Sequence, residues 1–443
     1  MKSISFNNEE NKIIKILAAG LNIDSRKISV DEVFCACAAS VPQHITNKKV
    51  SDKQAEVSTY SHGIDYAQQA INQGARAILW EPTPQLQQVK KYFRAIDNKL
   101  DNKKLEVPLY RVDNLHKKLG FLAAQFYQQP SLQMQIMGIT GTNGKTSISY
   151  FIAQVLSAQG QPCGVIGTLG NGLYGKTLPS THTTPDAIQL QKILAAMQAE
   201  QAKAVVMEVS SHALHQYRVA DVNFDIAIFT NLSRDHLDYH GSMKNYANEK
   251  MKLFQFDSLS TAVINLDDVF AKQLISNINS EQVKIIGYSC VEDKQLVLGN
   301  SPLDEIIRAK NIHSYATGSE FTLCMGKQLA TVNLPLIGQF NISNALATAA
   351  TLYSMGFEFD LIANLLGQLK SVPGRMELVK AIDATKVKKA NKEIQLVIDY
   401  AHTPDALEQA LKALQQHKKN NLWCIFGCGG NRDKGKRAEM AKI

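Results

Sequence analysis

The sequence predicts an α/β protein of three domains. A small N-terminal α/β domain is expected over 1–112, a central domain on a parallel sheet over 113–336, and a C-terminal Rossmann-like α/β domain, incomplete at its end, over 337–443. Three observations predict it. Met137-Gly138-Ile139-Thr140-Gly141-Thr142-Asn143-Gly144-Lys145-Thr146-Ser147 joins a mostly apolar strand to a helix through a glycine-rich turn. Further along, continuous apolar runs alternate with helices and stop at polar residues, the pattern of a parallel sheet covered on both faces. From about residue 337 an alanine- and leucine-rich helix, Asn341 to Met355, opens a further helix–strand series.

Taken in order, Val33 to Ala38 reads as a strand, a helix passes through Tyr66, Ala70 and Ile71, and Ala77 to Trp80 is a second strand after Gly74. A third strand is expected near Val107 to Tyr110, and a helix from Leu115 to Tyr127 leads to the glycine-rich turn. Met134, Ile136, Met137 and Ile139 mark the strand before that turn. Ile148, Phe151, Ile152, Val155 and Leu156 recur at helical spacing after it. Ala204 to Met207 stops at Glu208, Ile226 to Phe229 at the polar run Thr230 to His236, and Ala262 to Ile264 at Asn265 to Asp268. Ligands gather at such carboxyl ends of parallel strands. In the last third, Ile394 to Ile398 is expected to be a buried strand ending at Asp399. Thr403 and Pro404 suit a cap and first helical turn, and Leu422 to Phe426 is expected to be another strand.

The turn has the chemistry of an ATP-binding phosphate loop. Successive backbone N–H groups make an anion nest, the helix N-terminus adds positive dipole, and glycine lets the backbone approach phosphates. Lys145 would reach the terminal phosphates as a point charge and the Thr146 hydroxyl would ligate Mg²⁺. The strict pattern asks for glycine at 139, where this chain has Ile139, with Gly138 and Gly141 beside it. Glu208 at a strand end is either a solvated terminus or the acid near that Mg²⁺. His236 lies in a dense polar run, and Arg375 and Asp399 come from the last third.

The totals narrow the class. Apolar content of 45% and 20% charged residues are ordinary for a soluble globular protein, and the formal charge of +8 over 443 residues is mild, fitting anionic substrates such as nucleotides and equally no particular partner. The densest basic run, Lys386 to Lys392, has no interleaved aromatics and reads as a solvated loop, so no nucleic-acid partner is expected. Seven scattered cysteines fit no zinc spacing and are expected to be reduced and mostly buried. Met1 to Glu10 lacks a signal-peptide core and nothing approaches a membrane span, so a cytoplasmic, monomeric enzyme without membrane insertion is the expectation.

In order along the chain, five motifs together resemble the Mur ligases, the ATP-dependent amide-forming enzymes of peptidoglycan precursor synthesis. They are Thr140-Gly141-Thr142-Asn143-Gly144-Lys145-Thr146, Glu208-Val209-Ser210-Ser211-His212, Thr230-Asn231-Leu232-Ser233-Arg234-Asp235-His236-Leu237-Asp238-Tyr239-His240-Gly241, Gly338-Gln339-Phe340-Asn341-Ile342-Ser343-Asn344 and Asp399-Tyr400-Ala401-His402-Thr403-Pro404-Asp405. Asp24-Ser25-Arg26 and Asp238-Tyr239-His240-Gly241 favour the branch that adds the third peptide residue to UDP-N-acetylmuramoyl-L-alanyl-D-glutamate.

The resemblance implies roles. ATP would phosphorylate the glutamyl γ-carboxylate, and an amine would displace phosphate from the acyl phosphate. Lys145, Lys250, His236 and Glu208 would be catalytic. ATP would meet Gly141, Thr142, Asn143, Gly144, Lys145, Thr146 and Ser147 of the loop, with Asn341, Asn344, Arg375, Asp399 and His402 contributed from the last third. Mg²⁺ would be held by Thr146, Glu208, His236 and Lys250 as its carbamate (N6-carboxylysine). From its residue context alone, Lys250 reads as a solvated helix lysine. The N-terminal domain would bind the UDP-precursor through Ile23 and Ser25, and Thr183, Thr184, Ser210, Gln216 and Arg218 would hold it elsewhere.

Gly427-Cys428-Gly429-Gly430-Asn431-Arg432-Asp433-Lys434-Gly435-Lys436-Arg437 resembles the diaminopimelate-adding enzymes, with Arg432 on the amino acid's carboxylate. The family's Asp-Asn-Pro-Arg motif would lie beyond Ile443, so a weakly active or inactive chain with an unstable last domain is the expectation. A lysine-adding ligase and an inactive precursor binder are the alternatives. A folate-polyglutamate or cyanophycin-type ligase and a motor-like phosphate-loop ATPase are rivals of other kinds.

Overall fold

The computed structural model describes residues 20–37, 63–82, 107–291, 302–315, 317–379, 396–415, 421–428 and 435–443. Several expectations lie outside the described residues. These are the N-terminal Met1 to Glu10, the loop from Ala39 to Ser61, the basic run Lys386 to Lys392, and both Asn431 and Arg432. The chain divides into two compact units, Met1–Gln133 with Pro185–Glu200 and His212–Val222, and Met134–Thr184 with Gln201–Ser211 and Asn223–Ile443.

The first unit is a four-stranded parallel sheet of β1 (Leu21–Asn22), β2 (Val33–Ala36), β3 (Ala77–Trp80) and β4 (Leu109–Arg111), in that order. Strand alternation sends its apolar side chains both ways. Val33, Cys35, Ala77 and Leu79 meet α2 (Leu115–Phe126) and α4 (Ala187–Ala199), whereas Phe34, Ala36 and Ile78 meet α1 (Ala67–Asn72). Asp186 caps α4 by accepting from the Ile188 and Gln189 N–H groups, a standard way to satisfy orphan donors. At α1, β3 and α2 the elements fall within a residue or two of the sequence expectation.

The second unit holds a ten-stranded sheet. Its centre is parallel: β6 (Cys163–Gly167), β8 (Ala204–Glu208), β5 (Gln135–Thr140), β9 (Ile226–Phe229), β10 (Thr261–Asn265), β11 (Lys284–Ser289) and β12 (Glu305–Tyr315), neighbours in that order. Its edges are antiparallel, which corrects the expectation of a parallel sheet. β7 (Gly170–Leu173) folds back on β6, and β13 (Gly318–Met325) and β14 (Gln328–Leu334) form a meander on β12. The connections are too short for anything else, since parallel neighbours need a crossover of a dozen residues or more. Between β6 and β7 there are only Thr168 and Leu169, and between β13 and β14 only Gly326 and Lys327, with Gly326 at φ 54°.

The core lies between this sheet and three helices. Met137 and Ile139 of β5 pack with Ile148, Phe151, Ile152, Val155 and Leu156 of α3 (Lys145–Ala158). α9 (Gln339–Ser354) and α10 (Phe359–Leu366) join the same cluster through Ile342, Leu346, Ile362 and Leu366. The Gly138 backbone meets Phe224, whose ring would stand 2.8 Å from any Cβ there.

Near the chain's end two expectations fail. Among the described residues β16 (Leu396–Ile398) pairs only with β15 (Glu377–Val379), and its residues are not buried, with Leu396 57% and Ile398 48% exposed. Leu422 to Phe426 joins no ladder among the described residues, and Ile425 is fully exposed. Apolar runs predict burial only where a neighbouring strand or helix is in place to cover them. The helices there follow expectation: Thr403 caps α11 (Pro404–Gln415), accepting from the Ala406 N–H at 3.2 Å, and α12 (Gly435–Lys442) follows. All seven cysteines are free, but only Cys35, Cys163 and Cys324 are buried and Cys424 is exposed, so the expectation of mostly buried thiols is corrected.

Candidate active site

β5 ends at Thr140, and the chain then turns through Gly141 at φ 146° and Gly144 at φ 87° into α3. A side chain at Gly141 would lie 1.9 Å from the Thr230 hydroxyl, so only glycine fits. The loop is braced by the segment after β9. Asn231 receives the Asn143 N–H on Oδ1 at 2.9 Å and donates its amide to the Asn143 carbonyl at 3.1 Å. The Thr142 hydroxyl lies 3.2 Å from the Tyr246 hydroxyl and 3.1 Å from the Ser233 carbonyl. These bonds spend the side chains on shape, so the loop is rigid before any ligand arrives.

Two lysines converge on this turn. Lys145 folds over the loop, its ammonium donating to the carbonyls of Gly141 at 2.9 Å and Thr142 at 2.8 Å. Lys250, on α7 (Met243–Met251), donates to the same Gly141 carbonyl at 2.7 Å and stands over the Tyr246 ring at 4.3 Å. It is 2% exposed, so the solvated helix lysine that its sequence context suggests is overturned. Burial pushes the Lys250 amine well below the usual lysine range, and the neighbouring Lys145 pushes it further. Burial lowers Lys145 as well, against the pull of Glu208 and Asp235.

Behind the loop, Glu208 at the end of β8 is 1% exposed and fully engaged. It accepts from the Thr146 hydroxyl at 3.0 Å, the Thr168 N–H at 2.8 Å and the Thr168 hydroxyl at 3.1 Å. Gly167 lies so close that a Cβ there would stand 2.2 Å from the carboxylate. Thr183 meets Thr168, and Thr184 donates to the Glu208 carbonyl and accepts from the Ser210 N–H. Arg375 reaches from the last third to donate to the Thr146 hydroxyl at 3.0 Å and lies over the Tyr400 ring. Burial lowers its guanidinium from the usual value. Asp399 ties Arg375's neighbourhood down by accepting from the Met376 and Ala401 N–H groups, and burial raises its carboxyl.

The cleft so formed holds about 600 Å³, and Lys145, Glu208, His236, Asn344, Arg375 and His402 are among its lining residues. Asn341 sits behind Asn344, receiving its amide at 3.2 Å, and Ser147 lines the cleft at the helix start. Of the expected metal donors, Thr146 and Glu208 are in contact, Lys250 is at Gly141, and His236 turns its Nε2 to Asp235 at 3.2 Å. Among the described residues no group of three or more His, Cys, Asp and Glu side chains forms a metal cluster by itself.

The remaining expected residues are elsewhere. Ile23, Ser25, Gln216 and Arg218 belong to the first unit. There Ser25 donates to the Gln69 side chain at 2.8 Å, Ile23 is 38% exposed, and Arg218 Nε donates to Gln216 Oε1 at 2.9 Å.

Sequence reasoning passed over Asp235. It is 5% exposed, with His236 on one oxygen, Lys436 3.7 Å from the other, and His402 at 3.9 Å. Burial works against its charge, but His236, Lys436 and His402 beside it hold the carboxyl below the usual range. Burial pushes His402 down. Asp405 was likewise unassigned; it accepts from the Asn143 amide at 2.9 Å. The signal for both was their place inside quoted motifs. Apart from the adjacent His236, their partners lie some 170 to 260 residues away in sequence, so that pairing was unreadable.

Two family models match, the Mur ligase middle domain over residues 139–352 and the Mur ligase glutamate ligase domain over residues 374–443. A UDP-N-acetylmuramoyl-L-alanyl-D-glutamate–2,6-diaminopimelate ligase of Coxiella burnetii is 42% identical over 97% of this chain and 78% of its own length. One of the same name from Xanthomonas campestris pv. campestris is 39% identical over 97% of this chain and 76% of its own. A solved structure of a ligase of that name is 34% identical with a TM-score of 0.67, covering 96% of this chain and 75% of that one.

Proposed function

The chain belongs to the Mur ligase family, and on that premise we propose that it is a MurE-type ligase, joining meso-diaminopimelate to UDP-N-acetylmuramoyl-L-alanyl-D-glutamate at the expense of ATP. The observation that carries the reading is the likeness to 2,6-diaminopimelate ligases over 97% of this chain and 78% of the Coxiella burnetii relative's length. The product is a precursor of peptidoglycan, and the reaction belongs in the cytoplasm, where ATP is.

A γ-carboxylate oxygen of the precursor attacks the terminal phosphorus of ATP. The bond from that phosphorus to the bridging oxygen breaks, ADP leaves, and an acyl phosphate remains. The amine of the incoming diamino acid then attacks the acyl carbon, loses its proton to solvent, and inorganic phosphate departs with the C–O bond. Phosphoryl transfer asks the protein for positioning and charge neutralisation. The loop N–H groups from Gly144 to Ser147 cradle the phosphates, with Lys145 exchanging its two carbonyl contacts for phosphate oxygens. Arg375 is already at the Thr146 hydroxyl and supplies a second cation. Asn341, Asn344, Asp399 and His402 hold the rest of the nucleotide.

Thr146 and Glu208 are hard oxygen donors 3.0 Å apart, which fits Mg²⁺, with His236 and a Lys250 carbamate completing the set. When bound, the ion neutralises phosphate charge. Lys250 suits carbamate formation because only a neutral amine takes up CO2, and burial, then the neighbouring Lys145, shift it toward the neutral form. The precursor is assigned to Ile23, Ser25, Thr183, Thr184, Ser210, Gln216 and Arg218, and the diamino acid's carboxylate to Arg432.

The test is phosphate release with UDP-N-acetylmuramoyl-L-alanyl-D-glutamate, comparing meso-diaminopimelate with lysine. Strong stimulation by diaminopimelate and little by lysine is expected. Equal or greater stimulation by lysine refutes the amino-acid assignment, and hydrolysis without precursor refutes the ligase.

A further inference from the structure

Lys436 is a cation of the cleft that the mechanism above does not use. It stands in the first turn of α12, its side chain 13% exposed, and it lines the same cavity as Lys145 and Arg375. Its ammonium carries three donors. Among the described residues its one ion pair is with Asp235 Oδ1 at 3.7 Å, beyond hydrogen-bond reach, and no side-chain hydrogen bond engages it. The other cleft cations differ. Lys145 is spent on two carbonyls and Arg375 on a hydroxyl. A largely buried ammonium with unmet donors, facing a cavity that receives an anion, is a site awaiting oxygen ligands.

Its placement is built from two sides. Asp235 holds it electrostatically without using its donors, and the Arg234–Glu439 pair at 3.3 Å ties the same β9 loop to the same helix. His402 shares Asp235, so Lys436 stands at the end of the cleft where the last-third residues face the phosphate loop.

We propose that Lys436 donates to the phosphoryl group as it passes from ATP to the precursor's γ-carboxylate, and stays on the resulting acyl phosphate. The inference rests on the ligase reading above. In the transfer one P–O bond forms and one breaks while the three non-bridging oxygens keep their charge, and a fixed ammonium beside them stabilises that charge without reorganising. Lys145 serves the leaving nucleotide and Lys436 the transferred group, so the two ends of the transfer have separate cations.

The experiment uses the full chain with Lys436→Met and Lys436→Arg. Precursor-dependent ADP formation should fall roughly a hundredfold in kcat for Lys436→Met, the scale for losing one preorganised charge donor, with the KM values for ATP and diaminopimelate within about twofold of the parent. Lys436→Arg should recover part of the rate. An unchanged kcat overturns the proposal. So does a rise confined to the diaminopimelate KM, which would make Lys436 a ligand of the amino acid's carboxylate. A loss matched by a lower melting temperature and not relieved by arginine would make it merely structural. A second arm needs no turnover: ADP-loaded protein should bind inorganic phosphate about tenfold more weakly in Lys436→Met, the scale of one charge-assisted bond. If the parent binds phosphate through Lys436 yet ligates nothing, the ligase reading fails and with it the transfer role, leaving Lys436 as an anion site alone. Equal phosphate affinity in parent and variant overturns the inference alone.

Discussion

Replacing Lys250 by methionine should separate stability from activity in a way few active-site changes do. The side chain is 2% exposed, and its partners are the Gly141 carbonyl at 2.7 Å and the Tyr246 ring. Removing it leaves the Gly141 carbonyl satisfied, because Lys145 donates to the same oxygen. The loss is therefore one hydrogen bond of about 1 kcal/mol. Burying a methionine of similar length in place of a desolvated amine offsets it, so net stability should change by no more than about 1 kcal/mol. Turnover, by contrast, should fall by about 10²-fold or more, since the carbamate anion proposed there cannot form. Urea unfolding and the phosphate-release assay read the two quantities on one preparation. A pH series in CO2-free buffer adds a sign. The folded amine is held below its unfolded value of 10.5, so between its depressed pKa and 10.5 the unfolded chain binds more protons, and stability rises with pH across that window. In Lys250→Met that rise should shrink. A variant that turns over normally, or that loses more than about 3 kcal/mol, would refute the reasoning, the latter because losses of that size mark a broken buried network.

Other positions make sharper structural tests. Gly144→Ala places a Cβ 2.6 Å from Asn344 Oδ1 at φ 87°. Left-handed strain of about 1 kcal/mol and a displaced Asn344 amide of about 1 kcal/mol predict a loss near 2 kcal/mol. Calorimetric ADP affinity unchanged from the parent would contradict that account. Thr403→Ala removes the cap of α11 and should cost about 1 kcal/mol in urea unfolding, with Thr403→Ser restoring most of it. Because His402 precedes that cap, the ATP KM should rise in Thr403→Ala, and no change would uncouple the helix start from the cleft.

What the sequence determined by itself is local. The strand, glycine turn and helix around Lys145 were legible because a phosphate loop is a contiguous chemical device, with its spacing written in adjacent residues. The apolar runs that became β3, β9 and α3 were legible for the same reason, since burial on one sheet or helix face repeats at short period. Tertiary structure decided the rest. The antiparallel edges of the central sheet depended on which strands lay beside which, and Leu396 and Ile425 stayed exposed because no element among the described residues covers them. Lys250 changed from an ordinary helix lysine to a buried amine held well below the usual lysine range because folding buries it against Gly141 and Lys145, about a hundred residues away. Asp235 and Lys436 had no signal beyond their place inside the motifs. A carboxylate becomes a hub, and a lysine a cleft cation, only through the charges that folding brings within a few ångströms, and sequence spacing carries no record of that distance.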